Sequence, residues 1–397
     1  MAVHVARTSN AVAAATAFFM LTSRVSSDRA AAAMIALAMR ATAAAAAARE
    51  YNRHPMGPAS GVLELEAVPC PLCGGRDVAT LGWLRDVALG VPGTFPLARC
   101  RGCGLLHQNP RVREDELERA YPDNYPAHAR DSEMPRMLRR DGPAVRWALA
   151  TWLGYRHLAT ADASPGARAW ARLHRRRIRE NFPPWIGGGR LLDVGCATGR
   201  FLHRMRAVGW RVAGIEIDPV AAAKAAAVTP EIFVGDPIDA PFADGSFDVV
   251  TSFHVLEHLP RPLHALRRML HWLADGGLLI VEVPNAGGAG GRLFGRYWSG
   301  LDFPRHLVHF TPATMAAMVE RAGGHVAAVT HRTKPRYLTR SLRHWLRDQP
   351  GRRHRVALAA LDSRVGRGAA KLALELIMPI NRPLGLGEAV RYFIRRA

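Results

Sequence analysis

No stretch of this sequence reaches the ~18 consecutive apolar residues that a membrane-spanning helix needs. Acids are scarce: 33 Asp and Glu stand against 54 Lys and Arg, a net charge of +21. That balance disfavours cationic partners and favours anionic ones, whether nucleic acid, acidic lipid headgroups or phosphorylated molecules. Aromatic residues make up only 7% of the chain, which counts against the stacking platforms that single-stranded nucleic acid prefers. Cysteine is limited to five residues, four of them in two close pairs. A chain of 397 residues with so few cysteines is no secreted disulfide scaffold. The expected setting is a reducing cytoplasm.

What is present divides the chain into six segments. Residues 1–55 are alanine-rich and low in complexity, and two readings stand: a targeting segment, or an over-long start with translation beginning near Met56. Residues 56–125 form a compact cysteine-bearing module, and 126–185 a basic helical linker stopped by Pro183 and Pro184. Residues 186–332 alternate strand and helix: RLLDVG, then TGRFLHRMRAVG; RVAGIEI, then PVAAAKAAA; EIFVGD; SFDVVTSFHV, then RPLHALRRMLHWL; GGLLIVEVPN; GHVAAVTHR. Such alternation predicts a parallel sheet with helices on both faces. Residues 333–388 read as a basic amphipathic insertion, and 389–397 as a last core strand.

The first strand of the core runs into D-V-G-C-A-T-G. A dinucleotide fingerprint would need a third glycine at position 200, where Arg200 stands, and no Walker-type G-K-[ST] occurs. The loop is a poor pyrophosphate cradle. Gly195 and Gly199 keep the backbone bare, so a ligand can lie against it. Asp193 ends the first strand and suits an ammonium. Glu216 ends the second, 23 positions on, and suits a ribose diol. Asp236 ends the third, where an adenine amino group would lie. Ammonium, diol and adenine together describe S-adenosylmethionine. Pro237 has no N–H to offer the base, so that contact must come from Ile238 or be lost.

The run DVGCATG, GIEID, VGD, PFADGSFDVVTSFHVLEHLP resembles the class I S-adenosylmethionine-dependent methyltransferases over residues 186–330. The resemblance implies a Rossmann-like seven-stranded sheet of order 3-2-1-4-5-7-6, mostly parallel with the last strand antiparallel. It also implies a donor pocket built from Asp193, Gly195, Cys196, Ala197, Gly199, Glu216, Ile217, Asp236 and His254. Cys196 itself reads as a small buried thiol. No NPPY-like tetrad follows the fourth strand, which disfavours adenine N-methylation.

Cys70-x2-Cys73 and Cys100-x2-Cys103 are separated by 26 residues, and Gly74 and Gly104 follow the second cysteine of each pair. Four thiolates suit tetrahedral, structural Zn2+, with redox chemistry as the other reading. His107 is a spare candidate ligand, otherwise a surface residue. The wider run CPLCGG, CRGCGLL, NPR resembles the zinc-ribbon-like front end of sugar C-methyltransferases and glycan-cluster methyltransferases.

For the acceptor side, HVLEH places His254, Glu257 and His258 at the end of the fourth strand, as catalytic or as purely structural groups. The loop GRYWSGLDFPRHLVHFTP follows the fifth strand and carries Arg305, His306 and His309. In an open sheet such loops line the ligand crevice, so His306, His309 and His258 are candidate bases, and Arg305 a candidate anion binder. Residues 331–397 hold 16 Lys and Arg against 4 acids. Helices of that kind either lie on an anionic membrane, peripheral to its inner face, or form a solvated basic surface. The expected acceptor is a small molecule, sugar or lipid-linked glycan. The alternative is RNA gripped by the cysteine module and basic surface.

Overall fold

The computed structural model describes residues 63–121, 142–159, 163–368 and 383–397. Expectations for residues 1–55, for the linker before residue 142 and for residues 369–382 of the basic insertion fall outside these residues.

Strands β1 (Leu65–Glu66), β2 (Val78–Leu84), β3 (Phe95–Cys100), β4 (Leu106–Gln108) and β5 (Arg111–Val112) make up the cysteine module. Helices α1 (Gly142–Trp152), α2 (Pro165–Leu173) and α3 (Arg175–Asn181) follow. The core then runs β6 (Arg190–Val194), α4 (Arg200–Arg206), β7 (Arg211–Glu216), α5 (Pro219–Ala226), β8 (Ile232–Val234), β9 (Phe247–Phe253), α6 (Pro262–His271) and β10 (Leu273–Pro284). After it come α7 (Ala289–Phe294), β11 (Val308–His309), α8 (Pro312–Ala322), β12 (Gly324–Arg332), α9 (Pro335–Asp348), α10 (Arg352–Asp362) and β13 (Ala389–Arg396).

The seven-stranded sheet has the order β12-β13-β10-β9-β6-β7-β8. Numbered along the core, that is 6-7-5-4-1-2-3, the expected order read from the other edge. β6 pairs parallel to β7 and β9, while β13 is antiparallel to both neighbours. The strands alternate by twos. Leu192, Val194, Ala213 and Val250 face one layer, with Leu266 and Met269 of α6 and Met315 and Met318 of α8. Leu191, Val212, Val249 and Ile280 face the other, with Val145 and Leu149 of α1, Ile178 of α3 and Met205 of α4. Burial on both faces explains why these strands read as unbroken apolar runs. Local signals set the helix starts. Asp218 caps α5 by accepting from Ala221 N at 2.6 Å, and Thr311 and Thr314 form a capping box on α8.

The cysteine module does not stop at its own strands. Its sheet has the order β11-β4-β3-β2, so the acceptor-side loop supplies the fourth strand. Cys70, Leu72, Cys100 and Leu105 share one core cluster with Val194 and Met315. Among the described residues, no helix is long and apolar enough to cross a membrane.

Candidate active site

The glycine loop leaves β6 through Gly195 at φ +74° and closes on α4 through Gly199 at φ +77°, with Ala197 also at positive φ (47°). Packing also requires glycine at both positions. A Cβ on Gly195 would lie 2.2 Å from Val255 Cγ2, and one on Gly199 2.9 Å from Ala225 Cα. Cys196 is buried, and burial raises its thiol pKa far above the ordinary value.

The three acids stand on three adjacent strand ends, β6, β7 and β8. Asp193 is buried and accepts from Thr251 Oγ1 at 2.6 Å. Burial, reinforced by the Glu216 charge, pushes its carboxyl up to about 7 against the opposing Thr251 hydrogen bond. Glu216 accepts from Ala197 N at 2.7 Å and from Asp218 N at 3.0 Å, which fixes the loop around it. Ile217 beside it is 68% exposed, an apolar face left open. Asp236 accepts from Ile238 N at 2.8 Å and lies 3.5 Å from Arg261 Nη2. The Ile238 N–H is therefore engaged by Asp236, which agrees with the second of the two expected outcomes, loss of that contact to the base.

His254, at φ +61°, follows the end of β9 and precedes the turn that carries Glu257 and His258. Its Nδ1 lies 3.2 Å from Glu257 Oε1, and its Nε2 2.6 Å from Lys334 Nζ and 3.2 Å from Glu282 Oε1. Glu282 is a buried hub. Lys334 donates to it, and Arg391, opposite it in the β10–β13 register, reaches it at 2.8 Å. Burial opposes ionisation of Glu282, but Lys334, His254 and Arg391 outweigh that and hold it well below the usual carboxylate range. Beside them is a cavity of about 180 Å³ whose wall carries Arg179, Arg204, Arg332, Lys334 and Arg391 against Glu180 and Glu282. Five cations against two carboxylates leave room for an anion.

Glu257 and His258 sit on the single turn after β9, and His306 comes from the loop after β10. His306 Nδ1 bonds to Gly300 O at 2.8 Å, and its Nε2 lies 4.0 Å from Glu257 Oε1 and 3.9 Å from Asp302 Oδ2. His258 Nδ1 meets Tyr121 Oη at 2.8 Å. Burial and the neighbouring His306 push His258 down to about 4. His309 is buried on β11, and burial with His306 lowers it to about 3. It offers no open face to an acceptor. Tyr337, from the first turn of α9, has its hydroxyl pKa raised by burial and then by Glu257.

Arg305 corrects another expectation. Its side chain has no exposure, and it forms a two-pronged pair with buried Asp86, Nη1–Oδ2 at 2.8 Å and Nη2–Oδ1 at 3.0 Å. It ties the cysteine module to the loop and has no face left for a substrate anion. His107 is likewise buried rather than on the surface, with neither ring nitrogen hydrogen-bonded among the described residues.

All four paired cysteines carry free thiols whose sulfurs lie within 4.8 Å of one another. Cys70–Cys103 and Cys73–Cys100 are the close pairs, at 3.5 and 3.4 Å. Gly74 and Gly104 take φ +77° and +76°, and Gly75 N points at Cys73 Sγ at 3.4 Å.

Sequence reasoning missed Thr251, Glu282, Lys334, Tyr337 and Arg391. The one available signal was their charge or hydroxyl at a strand end or just beyond it.

Residues 166–329 match the family model described as a methyltransferase domain. An ajmaline N-methyltransferase from Rauvolfia serpentina is 33% identical over 149 residues, 32% of this chain and 51% of that protein. An uncharacterized methyltransferase of Mycobacterium marinum is 39% identical over 101 residues, covering 24% and 40%. A "Probable S-adenosylmethionine-dependent methyltransferase" of Mycobacterium tuberculosis is 28% identical over 158 residues, covering 38% and 56%. The chain spans about half the length of the curated relatives it matches.

Proposed function

We propose that this chain, whose residues 166–329 match a methyltransferase-domain family model, is a class I S-adenosylmethionine-dependent methyltransferase and moves a methyl group from S-adenosylmethionine to a small molecule, a sugar or a lipid-linked glycan precursor. The observation that carries the reading is the set of carboxylates on three adjacent strand ends, Asp193, Glu216 and Asp236, around a loop unsuited to pyrophosphate. Asp193 takes the ammonium, Glu216 the ribose hydroxyls, and Asp236 the adenine edge, with Ile217 under the ring. The cation-rich cavity beside His254 takes a carboxylate or phosphate, from the donor's amino-acid tail or from an acceptor.

Transfer is an in-line displacement. An acceptor lone pair attacks the methyl carbon, the C–S bond breaks, and its electron pair returns to sulfur. The protein's main task is alignment. The acceptor's proton must also leave, and the Glu257, His258 and His306 group stands beside the pocket for that purpose.

The four cysteines fit Zn2+. Bonds of about 2.3 Å in a tetrahedron place sulfurs about 3.8 Å apart, close to the pairs observed. Zinc there would stiffen the module that holds the acceptor loop. Helix α10 has no buried residue and exposes Arg352, Arg353, Arg355 and Val356, which suits an anionic membrane surface.

Calorimetry of the full chain with S-adenosylmethionine and with its demethylated product tests the donor. Heat with both, weakened by Glu216→Gln, is expected; no heat with either overturns the reading. Labelled methyl transfer into extracted lipid, sugar-nucleotide and RNA pools then identifies the acceptor, and label in RNA alone would replace the small-molecule assignment.

A further inference from the structure

We propose that Glu257, His258 and His306 form a second metal site, for a divalent cation, distinct from the four cysteines. One ligand atom from each of the three lies within 4.8 Å of the others. Three further observations point to an ion there.

Glu257 Oε2 is buried and has no hydrogen-bond partner among the described residues. An unpaired carboxylate oxygen in a dry site is costly, and a bound cation removes the cost.

The second observation concerns His306. Its Nδ1–H donates to Gly300 O at 2.8 Å, so the neutral ring presents the Nε2 lone pair inward. That lone pair faces Glu257 Oε1 at 4.0 Å and Asp302 Oδ2 at 3.9 Å. These separations are too long for hydrogen bonds. Two metal–ligand bonds of about 2.1 Å span up to about 4.2 Å, so one ion fits between ring and carboxylates.

The third is the fixing of the outer ring nitrogens. His306 is held by Gly300 O, and His258 by Tyr121 Oη at 2.8 Å. Metal-bound histidines are oriented in this way, with the far N–H given to a carbonyl or another oxygen. With Nδ1 of His258 donating to Tyr121, its Nε2 is free for the ion.

Two imidazoles and a carboxylate suit divalent ions from hard Mn2+ to borderline Co2+ and Zn2+, and leave coordination positions open. Asp302 supplies a further oxygen nearby. The site stands beyond the carboxyl end of β9, joined to the donor pocket through His254. Resting on the methyl-transfer reading, the ion specifies the acceptor class: a hydroxyl-bearing molecule that binds the metal through oxygen. Bound there, the hydroxyl loses its proton to water more readily. The resulting oxyanion attacks the sulfonium methyl, and the product is a methyl ether plus the neutral thioether.

The test uses Mn2+, a hard ion that thiolates bind poorly, added to the folded full chain with neither donor nor acceptor. Loss of the free-ion paramagnetic resonance signal gives stoichiometry and affinity. We expect about one ion per chain, nitrogen couplings from bound imidazole, and affinity at least about tenfold weaker in Glu257→Gln and His306→Gln. Should either variant melt early, His258→Gln and the nitrogen couplings of the unaltered chain carry the test. No uptake at millimolar Mn2+, or uptake without nitrogen coupling and unchanged in the folded variants, overturns the site. Because no methyl transfer is read, this failure and that of the donor assignment are separable.

Discussion

Asp86→Ala removes one half of an ion pair whose other half, Arg305, has no exposed side-chain surface. Asp86 accepts both guanidinium prongs at 2.8 and 3.0 Å and also the backbone N–H groups of Ala88 and Leu89 at 2.9 Å. After the substitution Arg305 keeps Asp302 at 2.8 Å and the carbonyls of Ala120 and Phe303 at 3.1 Å. Removing one member of a buried pair costs about 3–5 kcal/mol, because the remaining charge stays desolvated. For a domain of this class each kcal/mol moves the melting temperature by roughly 2–4 °C. The expected fall is therefore roughly 6–20 °C, read by far-ultraviolet circular dichroism. Asp86→Leu combined with Arg305→Met should recover part of it, since an apolar replacement of both partners is often neutral. A substrate-binding Arg305 would behave differently: Asp86→Ala would leave the melt in place and Arg305→Met would raise KM alone. An unshifted melting temperature in Asp86→Ala refutes the clamp.

Burial holds the Asp193 carboxyl up to about 7, so below that pH the free protein carries it mostly protonated. Binding an ammonium needs the carboxylate, so donor affinity should rise about tenfold per pH unit up to that point and then level, with proton release visible in calorimetry; a flat profile between pH 5 and 7 removes the ammonium role. Gly195→Ala brings a Cβ to 2.2 Å from Val255 Cγ2 at a φ of +74°; a loss of about 2–4 kcal/mol in urea unfolding is expected, partly relieved by Val255→Ala, and absence of any relief counts against the packing role. Co2+ substitution at the four cysteines should give an intense near-ultraviolet thiolate band that Cys73→Ser abolishes; a chain that gives no such band has no thiolate metal centre. Sedimentation with anionic lipid vesicles at low salt should be lost when Arg352, Arg353 and Arg355 become Glu, each cation being worth about 1 kcal/mol; sedimentation unchanged by the replacement removes the membrane role of α10.

The core was readable because its signals are local. The apolar runs of β6, β7 and β9, the glycine loop and the acids at strand ends each lie within a few residues of one another. The resemblance also supplied strand order, which no periodicity could give. The acceptor side was less readable because it is made by crossings. Glu282 faces Arg391 only because β13 runs antiparallel beside β10, 109 residues away in sequence. Lys334 reaches His254 only because β12 ends beside that pair. Arg305 looked like an anion binder because a sequence shows its charge and not its burial. Its partner Asp86 lies 219 residues earlier.

The same crossings set the cysteine module against the Glu257, His258 and His306 group. β4 pairs with β11, setting Val308 against His107 and His309 against Leu106. Gln108 Nε2 donates to Pro304 O at 2.8 Å and His306 O at 2.9 Å, and Tyr121 holds His258. Two of these contacts land on the group itself, at His306 O and His258 Nδ1, and the others fall two or three positions from His306. The glycine loop and Glu216 are instead held from within the core, by Ile215 O and the loop's own backbone. The glycine loop and Glu216 are thus held mainly by the sheet, and the turn and loop that carry Glu257, His258 and His306 in part by the module. On the methyl-transfer proposal, this division lets the acceptor change through the module and its loop while the sheet and the donor pocket stay as they are.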